Sequence, residues 1–410
     1  MSPHLCYLCM VQYKTNRLWG NIMRKLGLLP KVLLAILLGI GTGMIAPKMV
    51  IQGLATFSGL FGNFLSFVIP LIIIGFIAPG IGEIGRGAGR LLGLTTGLAY
   101  LSTIIAGLLA YLVSAILFPG ILEASGASTS YANPEEALTA PFFTVDMPPV
   151  MGVMTALMLA FTLGLGAAVI PGDALQKVMV DLRTIVEKLI SSVIIPLLPV
   201  HIFCVFSNLA HGGEVGMILS VFAKVFVIII ALHLVYLFIQ YTVAGQFGRK
   251  NPFWLMKNML PAYFTAIGTQ SSAATIPVTL RQTRKNKVSD KIADFVIPLC
   301  ATIHLSGSTI TLICCSMAVM MLNGMSASFS LMFPFILMLG ITMIAAPGVP
   351  GGAVMASLGL LESMLGFDTT LNSLMIALYI AQDSFGTACN VTGDGALAVI
   401  TDRLSKSETA

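Results

Sequence analysis

Charged side chains are scarce in this chain: they make up 10% of its 410 residues, whereas hydrophobic residues make up 57%. A typical soluble domain carries about 25% charged residues. Together with a mean hydropathy of +0.94, this scarcity excludes an ordinary soluble domain and indicates an integral membrane protein. The net charge of +5 is spread between the apolar segments, so no basic patch points to nucleic-acid binding.

Sequence motifs for enzyme chemistry are missing as well. The seven cysteines include one CxxC pair, Cys6 and Cys9, and no second pair completes a zinc site. The sequence has neither a nucleophile elbow nor a zinc-binding HExxH segment. The first 22 residues lack the three-part pattern of a signal peptide. We therefore predict no enzyme and no cofactor, and we expect residues 1–30 to be a cytoplasmic tail.

Apolar segments long enough to cross a bilayer, about 20 residues each, recur along the chain. Basic residues cluster before the first segment and after the second and sixth, whereas the loop 119–149 is acidic, with no Lys or Arg. The positive-inside rule then predicts that both termini are cytoplasmic and that this loop is outside. The eight predicted spans are roughly 32–47, 57–79, 91–118, 150–170, 189–209, 225–246, 295–322 and 371–400.

Two more apolar segments, 258–280 and 331–361, are each interrupted by Gly, Ser or Pro-rich stretches. Basic residues on both sides of 258–280 predict that it enters and leaves the bilayer on the cytoplasmic side. An even count of spans then leaves 331–361 as a re-entrant hairpin from outside. Such paired, interrupted segments mark the central site of transporters with inverted repeats. The predicted fold is therefore all-α: one membrane domain over 31–400, with eight transmembrane helices and two opposed re-entrant hairpins, and a second cytoplasmic tail over 401–410.

The last predicted span carries a polar stripe. At 100° per residue, Asp383, Thr387, Asn390 and Asp394 fall on one face of the helix. Ionisable residues at membrane depth are costly and usually functional. The structural alternative is a hydrogen-bond network between helices. A carboxylate that faces a cavity binds either a metal cation or an ammonium group.

Polar residues also interrupt two other apolar segments. Ser271 and Ser272 lie at the first hairpin tip, where the amides of a starting helix favour an anionic group; ordinary helix capping is equally consistent. His304, Ser306 and Ser308 interrupt the seventh span. For His304, a structural role and a ligand role stay open at this stage.

Four ordered motifs resemble one family. They are SSAATIPVT, PLCATI followed by SGST, GVPGGAVM, and QDS followed by T..NVTGD. From about Lys31 onward the chain resembles the dicarboxylate/amino acid:cation symporters, and its motifs are most similar to bacterial serine/threonine:sodium symporters. The resemblance implies a glutamate-transporter-like inverted-repeat fold, a homotrimer and an elevator mechanism. It also implies a scaffold over about 31–80 and 150–213, and a transport part over about 91–118 and 217–400.

The resemblance further implies the roles of individual residues. Asp383 is expected to hold the amino group of the substrate and Asn390 its carboxylate, with sodium as a co-substrate bound nearby. The implied substrate-binding residues are Ser271, Ser272, Ser308, Gly348, Val349, Asp383, Gly386, Thr387 and Asn390. The implied sodium ligands are Cys300, Thr302, His304, Leu305, Met343, Ile344, Ala346, Asn390 and Asp394.

Four positions depart from the family pattern. Gly386 and Gln270 stand where acidic amino acid carriers have arginines, so a second substrate carboxylate would be buried without a partner. His304 and Ser306 replace an Asn and an Asp that help build a third sodium site, which predicts fewer coupled sodium ions. A sharper hypothesis is that His304 couples a proton instead.

We therefore predict cation-coupled uptake, with sodium as the expected ion, of a small neutral amino acid such as serine, threonine or alanine. The expected location is the inner membrane of a bacterium, with the lipid bilayer and two further copies of the chain as partners. A symporter of a small organic acid or another substrate that is not an acidic amino acid, proton-coupled or not, stays open as the alternative. An ion channel is the third possibility.

Overall fold

The computed structural model describes residues 28–86, 90–123, 138–213, 215–346 and 350–406. Within these ranges the chain is all-helical, as predicted, and contains no β-strand. The helices are α1 Leu28–Ile45, α2 Lys48–Arg86, α3 Arg90–Glu123, α4 Val153–Val169, α5 Ala174–Leu189, α6 Ile195–His211, α7 Val215–Gly248, α8 Pro252–Thr269, α9 Ser272–Lys285, α10 Asp290–Ile303, α11 Ser306–Leu322, α12 Phe329–Ala345, α13 Gly352–Leu365 and α14 Thr369–Lys406.

Long apolar helices dominate the part of the chain that the structure describes. Six helical stretches there are long and apolar enough to cross a bilayer, which makes the chain a multi-pass membrane protein. One of them, Ala174–His211, joins α5 to α6 through a π-helical turn at Ile190–Ile194. It starts earlier than the predicted span at 189 because α5 is amphipathic, with charged residues along one face. Uninterrupted hydropathy therefore marks only its second half.

The helices pack as two groups. Helices α1, α2, α4, α5 and α6 contact mainly one another, with α2 against α4 and α1 against α6 as the most extensive contacts. Helices α3 and α7 to α14 form the other group, in which α14 packs against α7, α8, α10 and α11. Fewer contacts join the groups: α2 contacts α12 and α13, and α14 contacts α1, α2 and α6. α14 therefore lies inside the second group, where its polar stripe is enclosed by protein.

Three helix breaks bring backbone groups towards α14. Between α8 and α9, Gln270 adopts a left-handed conformation with φ of 53°. Between α10 and α11, His304 and Leu305 leave the helical conformation and interrupt what hydropathy predicts as one continuous span. Before α13, Gly351 has φ of +73°, a region in which residues with a Cβ are strained. Each break leaves N–H or C=O groups without partners in their own helix.

Candidate functional site

The polar stripe of α14 is buried. Asp383 and Thr387 are each 6% exposed, Asn390 is 2% exposed and Asp394 is 1% exposed. Asp383 and Asp394 are eleven residues apart, about 16 Å along the helix axis. They therefore belong to two separate centres. The centre at Asp383 faces the start of α13, and the centre at Asp394 faces the break between α10 and α11.

The first centre is built on Asp383. Its Oδ2 atom accepts a hydrogen bond of 2.7 Å from the backbone N–H of Gly351. Gly351 is the N-terminal cap of α13, so the carboxylate also lies at the positive end of a helix dipole. In the described ranges neither Asp383 nor Asp394 forms an ion pair with Lys or Arg. A buried carboxylate without a cationic side chain is suited to bind an ammonium group or a metal ion.

Asn390 joins α14 to the start of α11. Its Oδ1 atom accepts hydrogen bonds from the N–H groups of Gly307 at 2.8 Å and Ser308 at 3.3 Å. Its Nδ2 atom donates to the Ser308 hydroxyl at 3.0 Å. These N–H groups belong to the first turn of α11, where the helix supplies no acceptor. In this arrangement Asn390 therefore caps α11.

Glycine permits this close approach of α11 to α14. A Cβ at Gly307 would lie 2.5 Å from both the Cβ of Cys389 and the carbonyl oxygen of Gly386, so no larger residue fits there. A Cβ at Gly386 would lie 3.4 Å from the backbone nitrogen of Ser308, an ordinary contact. Gly386 therefore lies directly at the helix contact. Thr387 follows it on α14 and is buried.

The second centre pairs Asp394 with His304. The His304 Nδ1 atom lies 2.9 Å from Asp394 Oδ1, and both side chains are buried. On the other side of the ring, His304 Nε2 lies 2.9 Å from the Ser102 hydroxyl, which also accepts a 2.9 Å bond from Gln240 Nε2. Asp394 Oδ2 is buried without a hydrogen-bond partner among the described residues. This oxygen is free to bind a cation.

Several of the predicted sodium ligands lie at a cavity of about 820 Å³ between the two helix groups. Thr302, Ile344 and Ala346 line one wall, beside Ala273 and Pro350. Thr302 is exposed, although its hydroxyl donates to the carbonyl oxygen of Leu299. The opposite wall comes from α2, α5 and the π-helical turn, and includes the ion pair between Glu83 and Arg183.

The remaining predicted residues have mixed surroundings. Leu305 and Met343 are buried, and the Cys300 carbonyl oxygen accepts the His304 N–H at 2.9 Å. The Ser271 hydroxyl accepts from the N–H of Ala274 and so caps α9, while Ser272 is 5% exposed. Gly348 and Val349 lie outside the described residues.

Comparison with known proteins identifies the family. A family model described as the sodium:dicarboxylate symporter family matches residues 28–404. The chain belongs to this family. A serine/threonine transporter SstT of Enterococcus faecalis is 24% identical, covering 91% of this chain and 90% of the relative. A protein of the same name from Streptococcus suis is 28% identical, covering 82% of this chain and 94% of the relative. Another from Acinetobacter baumannii is 27% identical, covering 90% of this chain and 95% of the relative.

Membership of this family makes the chain a secondary transporter and not an enzyme. The resemblance noted in the sequence is therefore confirmed. Within this symporter, the buried carboxylates of α14 are groups at which a substrate and a coupling cation can bind, and no bond needs to be made or broken there.

Sequence reasoning missed three polar neighbours of these carboxylates. Ser102 on α3 and Gln240 on α7 surround His304, and Gly351 supplies the amide on Asp383. The sequence does mark Gln240 as a candidate, because an amide in the apolar run VYLFIQYTVAG needs a buried hydrogen-bond partner. Ser102 has no such signal, since serine is common in apolar helices and bonds to its own backbone.

Proposed function

We propose that this symporter couples the inward movement of sodium to the uptake of a small neutral amino acid, with serine, threonine and alanine as the expected substrates. The observation that carries the proposal is Asp383, a buried carboxylate that has a backbone amide and no cationic side chain beside it. An amino acid supplies the missing cation through its ammonium group. The names of the serine/threonine transporters support the same substrate class.

The absence of arginine at two positions supports a neutral substrate. Gly386 lies against the backbone of Ser308, and Gln270 occupies the break between α8 and α9. Neither position offers a positive charge to a second carboxylate. Transferring an unpaired carboxylate into such a site is unfavourable. Aspartate and glutamate are therefore expected to be poor substrates.

Sodium coupling is supported by the unpaired Oδ2 atom of Asp394. The other oxygen of this carboxylate is held by His304, and Ser306 contributes a hydroxyl where the family pattern has a carboxylate. One carboxylate in place of two binds fewer cations. We therefore infer that this protein couples fewer sodium ions per substrate than relatives with the Asn and Asp pair.

We infer a membrane domain of eight spans and two opposed hairpins that works by an elevator mechanism. The packing of the helices into two groups supports this inference. The first helix group is assigned to the scaffold and the second to the transport part, with α8–α9 and α12–α13 as the hairpins. The groups contact each other less than their own members do, and this difference, with the cavity of about 820 Å³ between them, supports relative movement. Exposed apolar side chains on α1 and α4, such as Leu37 and Met158, are available to lipid or to the homotrimer contact.

The position of α13 supports an inward-displaced transport part. A Cβ at Gly351 would lie 4.0 Å from the Leu28 side chain at the start of α1, which the positive-inside rule places at the cytoplasmic face of the inner membrane. The cavity wall also carries Arg183 and Lys188, as a cytoplasmic opening requires. We infer that the cavity opens to the cytoplasm.

Uptake by purified protein in proteoliposomes tests the function. An inward sodium gradient is expected to drive accumulation of radiolabelled serine above its external concentration, and potassium in place of sodium to abolish it. Accumulation driven by a pH gradient without sodium would favour the proton-coupled alternative. Substrate flux that only equilibrates would favour a channel, and accumulation of a small organic acid instead of serine would favour the other substrate class.

A further inference from the structure

Tyr379 lies one turn before Asp383 on α14 and differs from two other buried tyrosines, Tyr236 and Tyr241. The hydroxyls of Tyr236 and Tyr241 donate to the carbonyl oxygens of Ser102 and Thr392, as buried hydroxyls normally do. Tyr379 is 1% exposed, yet in the described ranges no group meets hydrogen-bond geometry with its hydroxyl oxygen. Burying a hydroxyl in this way is unfavourable unless a ligand completes its hydrogen bonds.

The surroundings of this hydroxyl are those of the predicted substrate site. Asp383 and Ser308 lie beside it, one on the same helix and the other at the start of α11. Tyr379, Asp383 and Gly386 occupy one face of α14, at spacings of four and three residues. Ser308 lies against Gly386, where a Cβ would be 3.4 Å from the Ser308 backbone nitrogen. The Tyr379 hydroxyl therefore lies between the carboxylate and a second hydroxyl.

The neighbouring groups approach the Tyr379 hydroxyl without a well-aligned hydrogen bond to it. Asp383 Oδ2 already accepts the Gly351 amide, and the Ser308 hydroxyl already accepts from Asn390. A ligand whose ammonium group binds Asp383, and whose hydroxyl lies on the adjacent carbon, would place that hydroxyl next to Tyr379. Serine and threonine have this arrangement, whereas alanine has a hydrogen at the same place.

We propose that Tyr379 is a specificity residue that recognises the β-hydroxyl of the substrate and so favours serine and threonine over alanine. This inference rests on the proposed function. Alanine would leave the Tyr379 hydroxyl without a partner in the loaded site, whereas serine would complete its hydrogen bonds. A site built to bond a hydroxyl discriminates strongly against an analogue that lacks it.

The Tyr379→Phe variant removes one oxygen atom and keeps the aromatic ring. We expect its KM for serine to rise about three- to tenfold while its KM for alanine stays within about twofold, so that the preference for serine is lost. Tyr111→Phe is the matched control, because Tyr111 is also buried but packs against Phe329 away from this face. Its KM ratio is expected to equal that of the wild type.

Binding in detergent provides a second measurement that does not require transport. The rise in melting temperature produced by serine, minus the rise produced by alanine, is expected to shrink in Tyr379→Phe and to persist in Tyr111→Phe. Equal losses for both substrates, or an unchanged ratio, would overturn the specificity role. If the wild type accumulates neither serine, threonine nor alanine, the proposed function itself is wrong, which is a distinguishable result.

Discussion

His304 Nδ1 and Asp394 Oδ1 lie 2.9 Å apart, and each side chain is at most 1% exposed. His304 lies at the break after α10, whereas Asp394 lies within α14. Gly393 permits this pairing, because a Cβ there would lie 3.0 Å from the His304 ring and 2.7 Å from Gln240. His304 thus occupies one of the two Asp394 carboxylate oxygens, both of which could otherwise bind a cation.

Restoring the family residues tests whether this pairing removes a sodium site. The double variant His304→Asn and Ser306→Asp releases Asp394 Oδ1 and adds a buried carboxylate at position 306. We expect one more sodium ion to be coupled per substrate, which raises the limiting serine accumulation by about tenfold at a tenfold sodium gradient. The measurement is the accumulation ratio in proteoliposomes at several sodium gradients. The single variant His304→Asn is the control, and an unchanged ratio in an active double variant would contradict the inference.

Removing the charge of Asp383 is expected to weaken the binding of amine-bearing substrates strongly. In Asp383→Asn the ammonium group loses a buried charged partner, which costs about 2 kcal/mol or more, roughly a 30-fold loss of affinity. Isothermal titration with serine in the presence of sodium measures this loss. Asp181→Asn is the matched control, since Asp181 is exposed on α5. Wild-type serine affinity in Asp383→Asn would show that the substrate is not held by its amine.

Cross-linking α2 to α14 tests the elevator proposal. A Cβ at Gly62 would lie 3.1 Å from the Cβ of Thr369, so a disulfide there needs only a shift of a few tenths of an ångström. In a background without Cys6 and Cys9, the pair Gly62→Cys and Thr369→Cys is expected to form a disulfide upon oxidation and to stop transport. Dithiothreitol should restore it. Each single variant serves as the control, and full transport by a quantitatively cross-linked pair would rule out the proposed sliding of the two groups.

Introducing an arginine at Gly386 tests why acidic substrates are disfavoured. A Cβ fits there, so Gly386→Arg can present a guanidinium group near Ser308. We expect aspartate to begin competing for binding, because the new charge pairs with its second carboxylate, and serine affinity to fall about tenfold or more through crowding. Competition against radiolabelled serine measures both effects. Gly386→Ala is the control, and it should leave aspartate without effect.

How far the sequence predicted the site differs from residue to residue. The stripe of Asp383, Asn390 and Asp394 follows from helical periodicity, and the structure has these residues on one buried helix face. The helix break at His304 and Leu305 was not predicted, because the polar residues there marked only an interruption of the apolar run and hydropathy does not register a change of backbone dihedrals. The capping of α11 by Asn390 was equally hidden, since it joins residues more than eighty positions apart.

The sequence by itself determined that this is an all-helical membrane protein of the symporter family and that acids in its last helix face protein instead of lipid. These properties follow from composition, from a local period and from ordered motifs. Only the tertiary structure decided that Gly351 bonds Asp383, that His304 takes an oxygen of Asp394, and that the Tyr379 hydroxyl lies beside both Asp383 and Ser308 without a well-aligned hydrogen bond. The physical reason is that such contacts depend on how closely helices distant in sequence approach, and glycines such as Gly307 set that distance.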